Sequence, residues 1–135
     1  MTFLDTNLLV YFIDRRDSRK WRIAREIVSA AIGSPNYKIS VQVLNEFANV
    51  ALKKLSMTED DVRGCVEDFM RIEVAVQNSG QTCRALEIRK RYGVQFFDAL
   101  LLAAAEANGC EEILTEDLND GQTYCGVRAV NPFAA

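Results

Sequence analysis

Apolar residues occur along the chain either in short continuous runs or in longer stretches with helical spacing. The run from Met1 to Leu4 stops at Asp5, which is typical of a buried strand with a carboxylate at its carboxyl end. Further strands are predicted at 37–40, 72–76, 112–114 and 127–130. Helices are predicted from Thr6 or Asn7 through Phe12, from Asp17 or Ser18 to Gly33, from Thr58 through Met70, and at 41–55, 79–92 and 95–108. Because short strands alternate with helices, we expect an α/β sandwich with a mainly parallel sheet.

The composition supports a globular chain. Of 135 residues, 49% are hydrophobic and 26% are charged, which is close to the average for globular proteins. The longest apolar run, 99–105, is far too short to cross a membrane, and no secretory signal opens the sequence. We therefore expect one domain over residues 1–135, no membrane association and a cytoplasmic location.

The absence of histidine restricts the possible chemistry most strongly. It excludes Ser-His and Cys-His catalysis, histidine-ligated metals and histidine-dependent ribonuclease mechanisms. The four cysteines contain no Cys-x-x-Cys pair, so we expect buried or half-buried side chains rather than a zinc site. Catalysis would have to depend on carboxylates, other polar side chains or a metal.

Positive charge is concentrated in two segments although the net charge is −3. The first segment contains Arg15, Arg16, Arg19, Lys20, Arg22 and Arg25, and the second contains Arg84, Arg89, Lys90 and Arg91. Either segment is explained by a solvated helix face or by contacts to nucleic-acid phosphates.

Four acidic residues occupy positions that burial alone does not favour. Asp5 and Asp117 follow predicted strands, where ligands collect in parallel sheets, whereas Glu46 and Asp98 lie on apolar faces of predicted helices. Individually they are explained by turns, helix caps, the helix dipole or a buried arginine partner. Together they are explained by a carboxylate cage for Mg²⁺ or Mn²⁺. Without these four residues the net charge changes from −3 to +1.

Four motifs in order along the chain give a family resemblance. Asp5-Thr6-Asn7, Asn45-Glu46-Phe47, 97–101 (Phe-Asp-Ala-Leu-Leu) and 115–118 (Thr-Glu-Asp-Leu) resemble the motifs of the PIN domain, and above all those of the VapC toxins of prokaryotic toxin–antitoxin pairs. The resemblance implies a three-layer α/β/α sandwich with a short, mainly parallel sheet. It also implies a metal-dependent endoribonuclease that forms a homodimer and is silenced by a cognate antitoxin.

The resemblance also assigns roles to particular residues. Asp5, Glu46, Asp98 and Asp117 match the family's acidic quartet, and Asn7 and Thr115 match its supporting polar positions. Asp120 is a second candidate near the last acid, although Asp120-Gly121 is explained more simply by a turn. Under this interpretation Arg15, Arg16 and Arg19 are candidates for binding RNA.

The missing histidine favours attack by metal-activated water, which leaves a 5′-phosphate and a 3′-hydroxyl. One metal ion or two would serve. Three alternatives share the fold or the carboxylate chemistry with this interpretation. They are a PIN-like nuclease of the flap-cleaving type that acts on DNA, a catalytically silent interaction module of the same fold, and a phosphatase. The phosphatase of the haloacid-dehalogenase type needs a second aspartate where Asn7 stands.

Overall fold

The computed structural model describes residues 1–134, which form six strands and six helices. In chain order these are β1 (Thr2–Leu4), α1 (Thr6–Ile13), α2 (Ser18–Ala31), β2 (Tyr37–Ser40), α3 (Val41–Lys53), α4 (Glu59–Phe69), β3 (Glu73–Ala75), α5 (Ser79–Tyr92), α6 (Phe96–Ala107), β4 (Glu112–Leu114), β5 (Thr123–Tyr124) and β6 (Val127–Val130).

The strands form one sheet in the order β3-β2-β1-β4-β6-β5, and every pairing except that of β5 with β6 is parallel. Helices α1 to α4 pack on one another, α5 packs against α6, and α3 and α6 contact strands of the sheet. The predicted α/β/α sandwich with a mainly parallel sheet is therefore confirmed. Strand β1 lies between β2 and β4 and contributes the fully buried Phe3 and Leu4 to the core.

Polar side chains fix most of the helix starts that the sequence predicts. Asp17, Ser40, Thr58 and Asn78 each accept a hydrogen bond from a backbone N–H in the first turn of α2, α3, α4 and α5. The first helix differs from the prediction, because Asp5 rather than Thr6 or Asn7 is its N-cap residue. The carboxylate that ends β1 thus also begins α1.

The chain beyond β4 contains a strand that the sequence pattern did not indicate. Strand β5 has two residues and pairs with β6 through a tight turn, in which Cys125 and Gly126 have φ values of 44° and 83°. Two consecutive positive φ values are typical of the two-residue turns that join antiparallel strands. A two-residue strand is too short to show alternation, so the pattern predicted only β6.

Helix α6 is buried along most of its length, because Ala99 and 101–105 all face the core. This apolar helix carries Asp98 in its first turn. Strand β3 is shorter than predicted, and Val76 after it is 77% exposed.

None of the helices in residues 1–134 is long and apolar enough to span a membrane. All four cysteines are free. Cys65, Cys110 and Cys125 are buried or half-buried as expected, but Cys83 is exposed on the solvent side of α5.

Candidate active site

A cleft of about 740 Å³ opens at the carboxyl end of the sheet, beyond β1 and β4. Asp5, Glu46, Asp98 and Asp117 all line it, and so does Asn7. These residues come from segments far apart in the chain, and the fold brings the predicted quartet into one concave surface. Ligands bind at this edge of parallel sheets because the loops that follow the strands converge there.

Asp5 lies at the bottom of the cleft and is only 4% exposed. The Thr6 backbone N–H donates to Oδ1 at 2.6 Å, and the Thr115 hydroxyl donates to Oδ2 at 2.6 Å. Burial raises the pKa of Asp5 to about 7; the hydrogen bond from Thr115 opposes this rise, whereas the negative charges of Asp117 and Asp98 increase it. Thr115 is buried behind Asp5 and orients it.

Asp98 is half-buried at the start of α6. Burial raises its pKa to about 6, and the charges of Asp117 and Glu46 contribute to the rise. In both Asp5 and Asp98 burial is the main cause of the raised pKa, and the negative charges of neighbouring carboxylates add to it.

Glu46 projects from α3 and is held by neutral partners. Its Oε1 accepts hydrogen bonds from the Thr6 hydroxyl at 3.2 Å and from Gln42 Nε2 at 3.0 Å. The sequence alternative of a buried arginine beside Glu46 is therefore not what the structure contains. Gln42 lies one helical turn before Glu46, and sequence reasoning did not identify it as a partner of that carboxylate. The i, i+4 spacing of the two residues could have indicated this hydrogen bond.

Asp117 is the acid of the last motif that faces the cleft. Asn7 Nδ2 donates to its Oδ2 at 3.0 Å, and its backbone N–H donates to the Thr115 hydroxyl at 3.1 Å. The neighbouring Glu116 instead pairs with Lys20 at 2.7 Å and accepts a hydrogen bond from the Tyr11 hydroxyl.

Asp120 does not line the cleft. Its Oδ1 accepts the Asn131 backbone N–H at 2.9 Å, and the following Gly121 has a φ of 84°. This geometry is that of a turn residue.

The three arginines predicted to bind RNA lie outside the cleft lining. The Arg15 guanidinium packs 4.4 Å from the Trp21 ring centroid, Arg16 pairs with Asp14 at 2.8 Å, and Arg19 donates to the Phe133 carbonyl at 2.8 Å. Lys20 is the member of this basic segment that reaches an acidic residue next to the cleft, and sequence reasoning did not single it out.

The chemistry of the donor set fits a hard divalent cation. No lysine or arginine occurs among the residues that line the cleft in the described part of the chain. Across residues 1–134, no three acidic or cysteine side chains are already arranged to hold a metal ion. Magnesium commonly binds through one or two carboxylates together with water and substrate phosphate, so it does not need a complete protein cage. Asp5 and Asp98, whose pKa values are raised by burial and by the negative charges of neighbouring carboxylates, are the residues that such a cation would stabilise most directly.

Comparison with solved structures finds the same fold in toxin–antitoxin proteins. A toxin–antitoxin complex from Klebsiella pneumoniae is 23% identical, with a TM-score of 0.71 and 98% of each chain covered. VapC20 from Mycobacterium tuberculosis, described as a toxin that cleaves the sarcin–ricin loop, is 16% identical, with a TM-score of 0.69 over 84% of this chain and 87% of that one. DNA-bound VapBC from Salmonella typhimurium is 22% identical, with a TM-score of 0.69 and 95% of each chain covered.

No curated protein matches the chain in sequence. The family model of the PIN domain, however, matches residues 2–119, which include β1, β4 and all four carboxylates of the cleft. The match extends over most of the 135 residues. The chain therefore belongs to the PIN domain family.

Proposed function

We propose that this PIN domain is a metal-dependent endoribonuclease, the toxin of a type II toxin–antitoxin pair, that hydrolyses RNA phosphodiester bonds. The observation that carries the proposal is the convergence of Asp5, Glu46, Asp98 and Asp117 on one cleft whose described lining contains no basic side chain. A phosphate group enters such a cleft only with a cation that offsets the carboxylate charge. We further propose Mg²⁺ or Mn²⁺ as that cation.

The residues of the cleft have two roles: some would hold the cation, and others orient the carboxylates that hold it. Asp5 and Asp98, together with Glu46 and Asp117, would hold the cation. Thr115 orients the Asp5 carboxylate, Asn7 orients that of Asp117, and Gln42 and Thr6 orient that of Glu46. When bound, the cation supplies an activated water and neutralises charge on the phosphate oxygens.

The composition of the chain also predicts the products. The sequence contains no imidazole to remove a proton from the ribose 2′-hydroxyl. Attack by water is therefore favoured, and it leaves a 5′-phosphate and a 3′-hydroxyl. The similarity in fold to a toxin described as cleaving the sarcin–ricin loop supports RNA as the substrate. Single-stranded or looped RNA is the form whose bases and backbone are open to side chains.

The same proposal includes the protein's partners and location. The similar folds come from toxin–antitoxin complexes, which supports a cognate antitoxin as the inhibitor. We propose a cytoplasmic homodimer built from one PIN domain per chain.

The test measures cleavage of a single-stranded RNA by the purified protein with Mg²⁺, with Mn²⁺ and with EDTA. We expect cleavage with either ion, none with EDTA, and none by Asp98→Asn, whereas Asp68→Asn on the exposed side of α4 serves as the matched control and keeps full activity. Mg²⁺ should also raise the melting temperature of the wild type more than that of Asp98→Asn, since a ligand stabilises the folded state that binds it.

Each alternative makes a different prediction in the same experiment. Undiminished cleavage in EDTA would contradict the metal mechanism. Preferential cleavage of DNA would favour the flap-type nuclease, and retained RNA binding without cleavage of either polymer would favour the silent interaction module. Products that carry a cyclic phosphate would show that water is not the nucleophile.

A further inference from the structure

A second hollow of about 490 Å³ adjoins the active-site cleft on the side of α3. Glu46 and Phe97 line both cavities, so the two are continuous across these side chains. Phe97 immediately precedes Asp98 at the start of α6. An extended ligand that leaves the cleft on this side therefore passes close to the Phe97 side chain.

The walls of this hollow are unusually apolar for exposed surface. Val41 is 46% exposed, Val76 is 77% exposed and Phe97 is 59% exposed, and all three line the same hollow. Single exposed apolar residues are common on proteins, but a group of them gathered in one concavity marks a binding surface.

Side-chain amides form the floor of the hollow and fix its geometry. Gln42 Nε2 donates both to the Phe97 carbonyl at 3.1 Å and to Glu46 Oε1 at 3.0 Å. Gln77 Nε2 donates to Gln42 Oε1 at 3.2 Å, and Gln77 Oε1 accepts the Gln42 backbone N–H at 3.2 Å. The Phe96 ring supports that of Phe97 edge-on, with centroids 5.4 Å apart. The backbone that carries the aromatic ring is thus tied to a carboxylate of the cleft.

We propose that this hollow is a nucleobase subsite, in which the Phe97 ring stacks on a base of the RNA strand next to the phosphodiester bond that is cleaved. The inference rests on the proposed function and extends it to substrate binding. Single-stranded nucleic acid is commonly held by bases stacked on aromatic side chains, and each such contact is sequence-tolerant. The exposed amide of Asn45 offers a donor and an acceptor for the edge of a base, and the second N–H of the Gln77 amide offers a further donor.

The charges in this region favour a base over the other possible occupants. Glu46 is the one charged residue among those described that line the hollow, so it lacks cations to hold a phosphate or an acidic peptide. A neutral, planar base meets the apolar walls and the free amide groups without the repulsion that a phosphate would meet from Glu46.

The test compares Phe97→Leu with Phe97→Trp in the otherwise wild-type protein, with Ca²⁺ in place of Mg²⁺ so that all four carboxylates are kept and the bound RNA stays intact. Binding of a short single-stranded RNA that carries 2-aminopurine is followed by anisotropy and by quenching of the fluorescent base. We expect Phe97→Leu to weaken binding by roughly 5- to 150-fold, the range for one stacked base, and to remove the quenching. Phe97→Trp should preserve both, because it retains an aromatic face.

Leu86→Ala is the matched control, since Leu86 is a comparably exposed apolar residue on α5 outside both cavities. Its RNA affinity should equal that of the parent. Unchanged affinity and quenching in Phe97→Leu would overturn the subsite. A shift from dimer to monomer in sedimentation, with unchanged affinity per protomer, would instead identify the hollow as a contact between copies and would equally overturn it. If the parent protein does not bind RNA at all, the proposed function fails, and the subsite fails with it.

Discussion

Neutralising Asp5 should stabilise the metal-free protein at neutral pH, although it removes a residue of the proposed active site. The Asp5 carboxyl is 4% exposed, lies beside Asp98 and Asp117, and has a pKa raised by burial to about 7. Because the folded-state pKa is higher than the ordinary value of 3.8, the protein is most stable when the group is protonated. Stability is then lost as the pH rises from about 4 through 7, where the folded protein must ionise this carboxyl.

The size of the effect follows from the two pKa values. The difference between 3.8 and about 7 corresponds to about 4 kcal/mol at 1.36 kcal/mol per pH unit. About 2 kcal/mol of this penalty is already present at pH 5 and nearly all of it at pH 8. In Asp5→Asn the new amide N–H₂ faces the Thr115 hydroxyl, which donates to the carboxylate in the wild type and already accepts the Asp117 backbone N–H. The hydrogen bond from Thr115 is therefore weakened, which costs about 1 to 2 kcal/mol at every pH. The net gain at pH 8 is therefore about 2 to 3 kcal/mol.

The assay is urea unfolding of wild type and Asp5→Asn at pH 5 and at pH 8, with EDTA present throughout. We expect the stability of Asp5→Asn relative to wild type to increase by about 2 to 3 kcal/mol between the two pH values. Asp68→Asn changes an exposed carboxylate on α4, and its difference from wild type should be the same at both pH values. If Asp5→Asn also shows the same difference at both pH values, then neither burial nor the neighbouring carboxylates penalise the ionisation of Asp5.

Two further predictions concern the basic segment that precedes and begins α2. The double variant Arg16→Glu with Arg19→Glu should weaken RNA binding. The slope of log affinity against log salt concentration should flatten by roughly 0.7 for each RNA phosphate that the variant no longer binds. An unchanged slope would place these arginines away from the RNA. Lys20→Met should destabilise the protein by about 1 to 2 kcal/mol in urea unfolding, because it leaves the half-buried Glu116 without its cation. Adding Glu116→Gln to that variant should recover part of this stability, and no recovery would show that the ion pair is not the cause.

The sequence predicts those strands and site residues whose position in the fold follows from a short local pattern of apolar and polar residues. A short apolar run before Asp5 is enough to indicate a strand with a carboxylate at its end, and β1 and its pairing with β4 confirm the architecture. Glu46 and Asp98 are found because an acidic residue on an apolar helix face is unusual, and both line the cleft. Their metal role stays a prediction.

The features that sequence reasoning missed depend on partners distant in the chain or on unusual backbone geometry. Strand β5 requires positive φ at Cys125, which no residue pattern indicates. Lys20 is indistinguishable from its basic neighbours until the fold places Glu116 beside it. The hollow around Phe97 could not be predicted either, since Val76 and Val41 belong to segments that look like ordinary strand and helix residues.

Because β1 lies in the middle of the sheet, the cleft can form only after the carboxyl-terminal part of the chain has been synthesised. Its partner β4 pairs Thr2 with Glu112, and the hydrogen bond between Thr115 and Asp5 joins residues 110 positions apart. Contacts so distant require closure of a long loop, which has an entropic cost, and they require that both segments are present. While the polypeptide is being synthesised, residues 1–111 have neither Asp117 nor the hydroxyl that orients Asp5. The growing chain therefore lacks the complete carboxylate cleft until β4 and the residues after it have emerged and inserted next to β1.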